Sequence, residues 1–230
     1  MSWFDQLISA NSHKQTLVAQ QAALPGRATA VPVAKTNVVL GHPMQPQAPD
    51  SDDPWGQGRQ AVVLGGGCFW GVEEIYWQVP GVYTTAVGYA GGYTPNASYE
   101  EVCTAQTGHT EAVLVVFDPK VIDLDGILKI FWESHDPTQD MRQGNDVGTQ
   151  YRSAIYTVSD DDARVAQASA DRFAPVIAQA GLDPIATEIK PLAAAGDGHF
   201  YYAEDYHQQY LAKNPNGYRC HSATGLKYPA

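Results

Sequence analysis

A thiolate is a strong nucleophile, and Cys68 stands where one could be used. Before it run Ala61-Val62-Val63-Leu64, four apolar residues that read as a buried strand, and then Gly65, Gly66 and Gly67. After it a helical pattern starts, with Val72, Ile75, Tyr76 and Val79 on one face. A cysteine at such a junction lies near a helix N-terminus, where unsatisfied N–H groups and the helix dipole are expected to stabilise its thiolate. The glycines allow a sharp turn and leave room for a reactant at the sulfur. Phe69 and Trp70 follow at once, an apolar wall beside it. The alternative is an inert, buried thiol, the commonest state of cysteine. The glycines are not a phosphate loop: Trp70 occupies the position of the last glycine in G-x-G-x-x-G, and no Gly-Lys-Ser/Thr follows.

Glu111 is the second chemical candidate. Thr110 to Phe117 is apolar on both faces, as in a central strand. Positions 111, 113, 115 and 117 share a face, so Glu111 points the same way as Val113, Val115 and Phe117. A carboxyl group there is costly when ionised, stays protonated nearer neutrality, and can serve as a general acid. A strand end in water, or an arginine partner, would remove that property. Tyr99 and Tyr151 are candidate hydroxyl donors among 13 tyrosines; amphipathic packing is the usual role of such residues. Asp146, beside Asn145 and Gly148, reads equally well as a turn residue. His109, His135, His199 and His207 are scattered without metal-ligand spacing.

Three cysteines, Cys68, Cys103 and Cys220, are too few and odd in number for a disulfide scaffold. They suit a reducing compartment in which any disulfide is transient and catalytic. No C-x-x-C occurs. Cys103, flanked by Val102, reads as a packed thiol. Cys220 lies in a Gly- and Pro-containing tail that can move.

The elements that must position these groups are mixed in order. Strands are expected at 59–65, 82–89, 110–117 and 149–158, with a short one at 185–189. Helices are expected at 71–79, 123–134 and 203–213, and a long one opening at Asp160-Asp161-Asp162, whose charges suit its positive end. Pro175 should kink or break that helix. This order points to an α+β fold with helices against a mixed or largely antiparallel sheet. Residues 1–58, rich in Pro, Ala and Gln, read as a loop-rich extension that wraps the domain or is partly disordered. Residues 59–213 form the domain, and 214–230 a mobile tail. The 230 residues are 44% apolar with a net charge of −11, which argues against a nucleic-acid surface. No apolar run is long enough to span a bilayer. The N-terminus lacks a secretory signal pattern, so a cytoplasmic protein is expected.

Gly67-Cys68-Phe69-Trp70-Gly71 resembles the active-site signature of the peptide methionine sulfoxide reductases of the A type. Gly108-His109-Thr110-Glu111-Ala112-Val113 resembles the family's proton-donor segment. The segments 98–103 and 144–153 resemble those whose tyrosines, here Tyr99 and Tyr151, hold the sulfoxide oxygen. Asp146 matches the acidic residue that orders the site. Tyr201 to Leu211 is also similar to the family and reads as support with contact to the site. Leu24-Pro25-Gly26-Arg27 and Pro32-Val33-Ala34 resemble the extension of some bacterial members. Cys220 matches a resolving cysteine, although the second tail cysteine of some members is missing. The resemblance spans about residues 59–220.

What the resemblance implies is a two-layer sandwich with a ferredoxin-like core and reduction of methionine-S-sulfoxide, free or peptide-bound. Phe69 and Trp70 would hold the S-methyl group, and Tyr99, Tyr151 and Glu111 the oxygen. Cys68 would pass through a sulfenic acid to a Cys68–Cys220 disulfide that thioredoxin reduces. Neither metal nor organic cofactor is implied, and a monomer is the default. Two rivals stand beside it. One is a Cys–His hydrolase or acyltransferase using His109 or His199 as base. The other is a sulfoxide- or methionine-binding module with an inert Cys68.

Overall fold

The computed structural model describes residues 13–220 and 222–229. Six strands form one sheet: β1 (Gln60–Gly66), β2 (Val82–Ala90), β3 (Thr110–Phe117), β6 (Ser153–Thr157), β7 (Glu188–Pro191) and β8 (Phe200–Tyr202). Their order is β7-β6-β1-β3-β2-β8, and only β6 and β7 run parallel. Helix α1 (Phe69–Tyr76) joins β1 to β2, and α3 (Leu124–Ser134) follows β3 on the way to β6. The β-α-β-β-α-β order with β6-β1-β3-β2 at the centre of the sheet is the ferredoxin-like arrangement. A long helix, α4 (Asp160–Gln179), leads to β7. The remaining elements are short: α2 (Tyr99–Cys103), the two-stranded ribbon β4 (Arg142–Gln143) and β5 (Asp146–Val147), and α5 (Tyr210–Lys213).

Strand β3 lies between β1 and β2, buried over its whole length, as its two apolar faces require. Its odd positions, Val113, Val115 and Phe117, join Val62, Leu64 and Ile155 under helices α1, α3 and α4. Its even positions, Ala112, Leu114 and Val116, pack with Val63, Ala86 and Tyr156 on the other face. Among the described residues no α-helix covers that face. Met44 and Trp55 of the N-terminal segment bury themselves there, with Val33 and Ala34 against them.

Several elements depart from expectation for local reasons. Helix α1 begins at Phe69, two residues early, because Cys68 is its N-cap residue. The strand expected from 149 opens instead as a 3-10 turn, Thr149–Tyr151, and β6 starts at Ser153. Strand β7 starts at Glu188, because Ala186 and Thr187 bond to Pro137 and Ser153 instead. Helix α4 runs through Pro175, which neither ends it nor divides it. Pro175 lies on the exposed face, as does Asp171, whose carbonyl it leaves without a helical donor, while Phe173 and Ile177 anchor the buried face on either side. The helix expected over 203–213 is confined to Tyr210–Lys213. Gln209 sits at φ +46, and its N–H donates to the Glu73 side chain at 2.8 Å rather than to a helical carbonyl. Among the described residues no helix is long and apolar enough to cross a membrane.

Candidate active site

The β1–α1 turn delivers Cys68. Gly67 takes φ +93, and a Cβ there would lie 2.7 Å from the Gln143 side chain, so only glycine fits. Cys68 then caps α1, buried, with the N–H groups of Trp70 and Gly71 favouring its thiolate. Burial nevertheless outweighs those donors, and the nearby Glu111 carboxyl adds to the effect, so the thiol is pushed well above its usual range. The expected thiolate at rest is thus corrected to a neutral thiol. A helix of eight residues offers two N–H groups; it does not offset the loss of water around the sulfur.

Glu111 enters from β3, opposite Tyr89 of β2 and almost wholly buried. Its Oε2 accepts from the Phe69 N–H at 3.0 Å, the first amide of the helix that Cys68 caps. Burial raises its pKa to about 8; that bond works the other way, and Asp146 adds to the rise. Glu111 is therefore protonated at neutral pH, with neither an arginine partner nor exposure to water.

Tyr99 and Tyr151 come from α2 and the 149–151 turn, and both are partly buried. Burial first, and then Glu111 once it is ionised, push both hydroxyls above the usual tyrosine range, which places both within its electrostatic reach. Helix α2 is set by a reciprocal cap: Glu101 N–H donates to Ser98 Oγ at 3.3 Å, and Ser98 N–H to Glu101 Oε2 at 2.8 Å. The Ser-x-x-Glu spacing was a sequence signal for this helix. Cys103, one turn after Tyr99, is half-buried and near the tyrosine hydroxyl rather than packed in the core. The helix turns Val102 inward instead.

Phe69 and Trp70 form part of an aromatic cluster that the tail of the domain completes. Trp70 stacks on Tyr210 with centroids 4.0 Å apart, and Phe69 lies 5.3 Å from the His207 ring. The Trp70 indole N–H donates to His207 Nδ1 at 3.1 Å. His207, pushed down to about 4 by burial, is neutral and carries its proton on Nε2. Glu204 accepts from the Tyr99 N–H at 2.9 Å and from the Tyr89 hydroxyl at 3.0 Å. His207 and Tyr210 are three apart, Glu204 and His207 likewise. The segment Tyr201 to Leu211 was singled out by its resemblance to the family, not by its spacing.

Asp146 sits on β5, half-buried. One carboxylate oxygen accepts from the Tyr218 hydroxyl at 3.2 Å; the other is buried and has no partner among the described residues. Cys220 lies over the same ribbon. Its thiol donates to the Gln143 carbonyl at 3.3 Å, and burial with the Asp146 charge pushes it up to about 11. The Cys220 carbonyl lies 3.7 Å from where a Gly71 side chain would begin, so the tail crosses the first turn of α1. All three cysteines are free. Gln143, which touches both Gly67 and Cys220, was not singled out from the sequence.

The two histidines proposed as hydrolase bases are elsewhere. His109 is buried with both ring nitrogens committed, Nδ1 accepting from Gly92 N–H at 3.1 Å and Nε2 bonding the Thr94 carbonyl at 2.8 Å. His199 contacts Tyr201 beside the edge strand β8. Among the described residues no cluster of three or more His, Cys, Asp or Glu could hold a metal ion.

A sequence profile described as peptide methionine sulfoxide reductase matches residues 60–228. The peptide methionine sulfoxide reductase MsrA of Salinispora arenicola is 56% identical over 218 residues, 94% of each chain. That of Brucella ovis is 52% identical over 229 residues, 100% of this chain and 98% of its own. Methionine sulfoxide reductase A of Corynebacterium diphtheriae superposes with a TM-score of 0.82 at 44% identity, covering 94% of this chain and 100% of that one. Reduced Mxr1 of Saccharomyces cerevisiae superposes at 0.65 with 37% identity, over 72% and 92% of the respective chains. With a buried acid at the capping cysteine and agreement of this extent, the chain belongs to the peptide methionine sulfoxide reductase family.

Proposed function

We propose that the protein reduces methionine-S-sulfoxide, free or peptide-bound, by a two-cysteine cycle, and that this repairs oxidised proteins. The observation that carries the reading is the buried Glu111 carboxyl, its pKa raised by burial, bonded to the amide next to Cys68. Phe69 and Trp70 face the S-methyl group. The hydroxyls of Tyr99 and Tyr151 and the Glu111 carboxyl bind the sulfoxide oxygen, and Asp146, with its open oxygen, orders the site. Hydrogen-bond donation to that oxygen makes the sulfur electrophilic. Cys68 loses its proton only as the S–S bond forms, which accommodates a resting thiol. Glu111 supplies a proton to the oxygen. The transient bond from Cys68 to the substrate sulfur and the sulfoxide S–O bond then break, the protonated oxygen passes to Cys68, and the proton that Cys68 gave up restores Glu111; the products are methionine, reduced by two electrons, and the Cys68 sulfenic acid, oxidised by two. The Cys220 thiol then attacks Cys68, a disulfide forms and water leaves. An external dithiol, read here as thioredoxin, restores both thiols by exchange. No chemistry in this sequence calls for a metal or an organic cofactor. A monomer in a reducing, cytoplasmic compartment suits three free cysteines.

The test uses the reduced protein without added reductant and the separate S and R epimers of a blocked methionine sulfoxide. About one methionine per protein from the S epimer, with a Cys68–Cys220 bond located by peptide mass, is expected. No methionine from either epimer overturns the reading. The bond in another place keeps the reduction and moves the resolving role.

A further inference from the structure

The residue before Cys220 holds the tail to the helix that Cys68 caps. Arg219 Nε donates to Glu74 Oε2 at 2.6 Å, and Arg219 Nη2 to Glu74 Oε1 at 2.7 Å. This is the two-pronged geometry in which guanidinium and carboxylate bind most strongly and directionally. The side chains are 29% and 21% exposed, so water screens the pair less than it does an ordinary surface ion pair. Arg219 Nη1 also donates to the Pro215 carbonyl at 2.9 Å and the Gly217 carbonyl at 3.3 Å. One guanidinium thus folds the tail's own turn and ties it to α1.

Glu74 lies on a rigid part of that helix. The preceding residue, Glu73, is buried, and its carboxylate accepts from Thr85 Oγ1 at 3.0 Å and from the Gln209 N–H and Nε2 at 2.8 Å each. The tail is held on its far side as well: the Cys220 thiol donates to the Gln143 carbonyl, and Ser222 Oγ bonds to Gln143 Oε1. Gln143 in turn fills the space above Gly67. Cys220 is therefore suspended between α1 and the β4–β5 ribbon, over the turn that carries Cys68.

We infer that Arg219 and Glu74 form a latch that positions Cys220 for attack on oxidised Cys68. The inference rests on the two-cysteine reading above and adds a device specific to its second step. Holding two groups on one rigid element raises their effective concentration, which accelerates bond formation between them and nothing else. The step balances without a further reagent: Cys68–SOH and Cys220–SH give the disulfide and water. The Arg219 hydrogen bonds run to Glu74 and to the tail's own carbonyls, not to Phe69, Trp70, Tyr99, Tyr151 or Glu111, so methionine formation proceeds at its normal rate without the latch.

The test is rapid-quench single turnover on full-length Arg219→Ala, Arg219→Lys, Glu74→Gln and the Arg219→Ala/Glu74→Gln double variant. Methionine and the Cys68–Cys220 disulfide are followed separately. Methionine should form at the wild-type rate in all four. Disulfide formation should slow by roughly tenfold in Arg219→Ala and Glu74→Gln, less in Arg219→Lys, and no further in the double variant. Disulfide formation at the wild-type rate in Arg219→Ala overturns the latch. Equal slowing of both steps overturns it too, since that marks a general structural role. Failure beneath the latch is separate and seen in the wild type: no methionine, or methionine without the Cys68–Cys220 bond, removes the cycle and the latch with it.

Discussion

Glu111 Oε2 and the Phe69 amide are 3.0 Å apart although 42 residues separate them in the chain. The bond ties the only carboxyl on the helix-covered face of β3 to the first turn of α1. It places the acid beside the sulfur, and burial keeps it neutral. The arrangement brings a carboxyl group and a thiol from two elements together in a buried site.

Replacing Glu111 by Gln keeps the shape and removes the proton. Methionine formation in a single turnover should fall by about 10²–10⁴-fold, the usual worth of a general acid. Stopped-flow tryptophan fluorescence should still report sulfoxide binding. An unchanged rate would remove Glu111 from the role.

The pH profile follows from the same group. An acid with a pKa of about 8 is active below it and lost above it. The single-turnover rate should be level through pH 7 and fall about tenfold per unit above pH 8. In Glu111→Gln that fall should be absent.

Stability should shift with pH in the same direction. Glu111 and Glu73 rise from 4.5 to about 8 and about 7 on folding, in both cases through burial. Between these limits the folded state holds protons that the unfolded chain has released, so stability declines as pH rises from about 4.5 to 8. Urea unfolding at pH 5 and pH 8 should show the decline, and Glu111→Gln should show less of it.

Cys220→Ser should yield one methionine and stop, with Cys68 trapped by dimedone as the sulfenic acid. Cys103→Ser should continue to turn over with a dithiol reductant, because Cys103 faces Tyr99 rather than the tail. A disulfide to Cys103 in the Cys220→Ser protein would contradict this, as mass mapping would show.

Gly67→Ala should destabilise the protein by at least about 1 kcal/mol, since the methyl group meets Gln143 at a φ that alanine disfavours. It should also slow disulfide formation, because Gln143 bonds Cys220. Denaturant melts and the single-turnover assay read the two effects.

Much of this protein was legible in the chain because the signals were local. Four apolar residues, three glycines and a helical repeat placed Cys68 at a strand-to-helix junction, and the two-residue period of a strand placed Glu111 on the face of Val113, Val115 and Phe117. The Asp160–Asp162 run marked the start of α4, and continuous apolarity marked β3 as central. What local pattern cannot carry is the sum of an environment. The state of the Cys68 thiol was decided by how much water the whole fold removes, against only two helix amides. The helix around Pro175 survived because tertiary packing put proline on the wet face. The end of the 203–209 segment was decided by Glu73, 136 residues away, which takes the Gln209 amide out of any helix. The sequence by itself determined which groups can do chemistry. Only the tertiary structure decided which of them meet, because those contacts join residues far apart in the chain and depend on desolvation by all the elements between them.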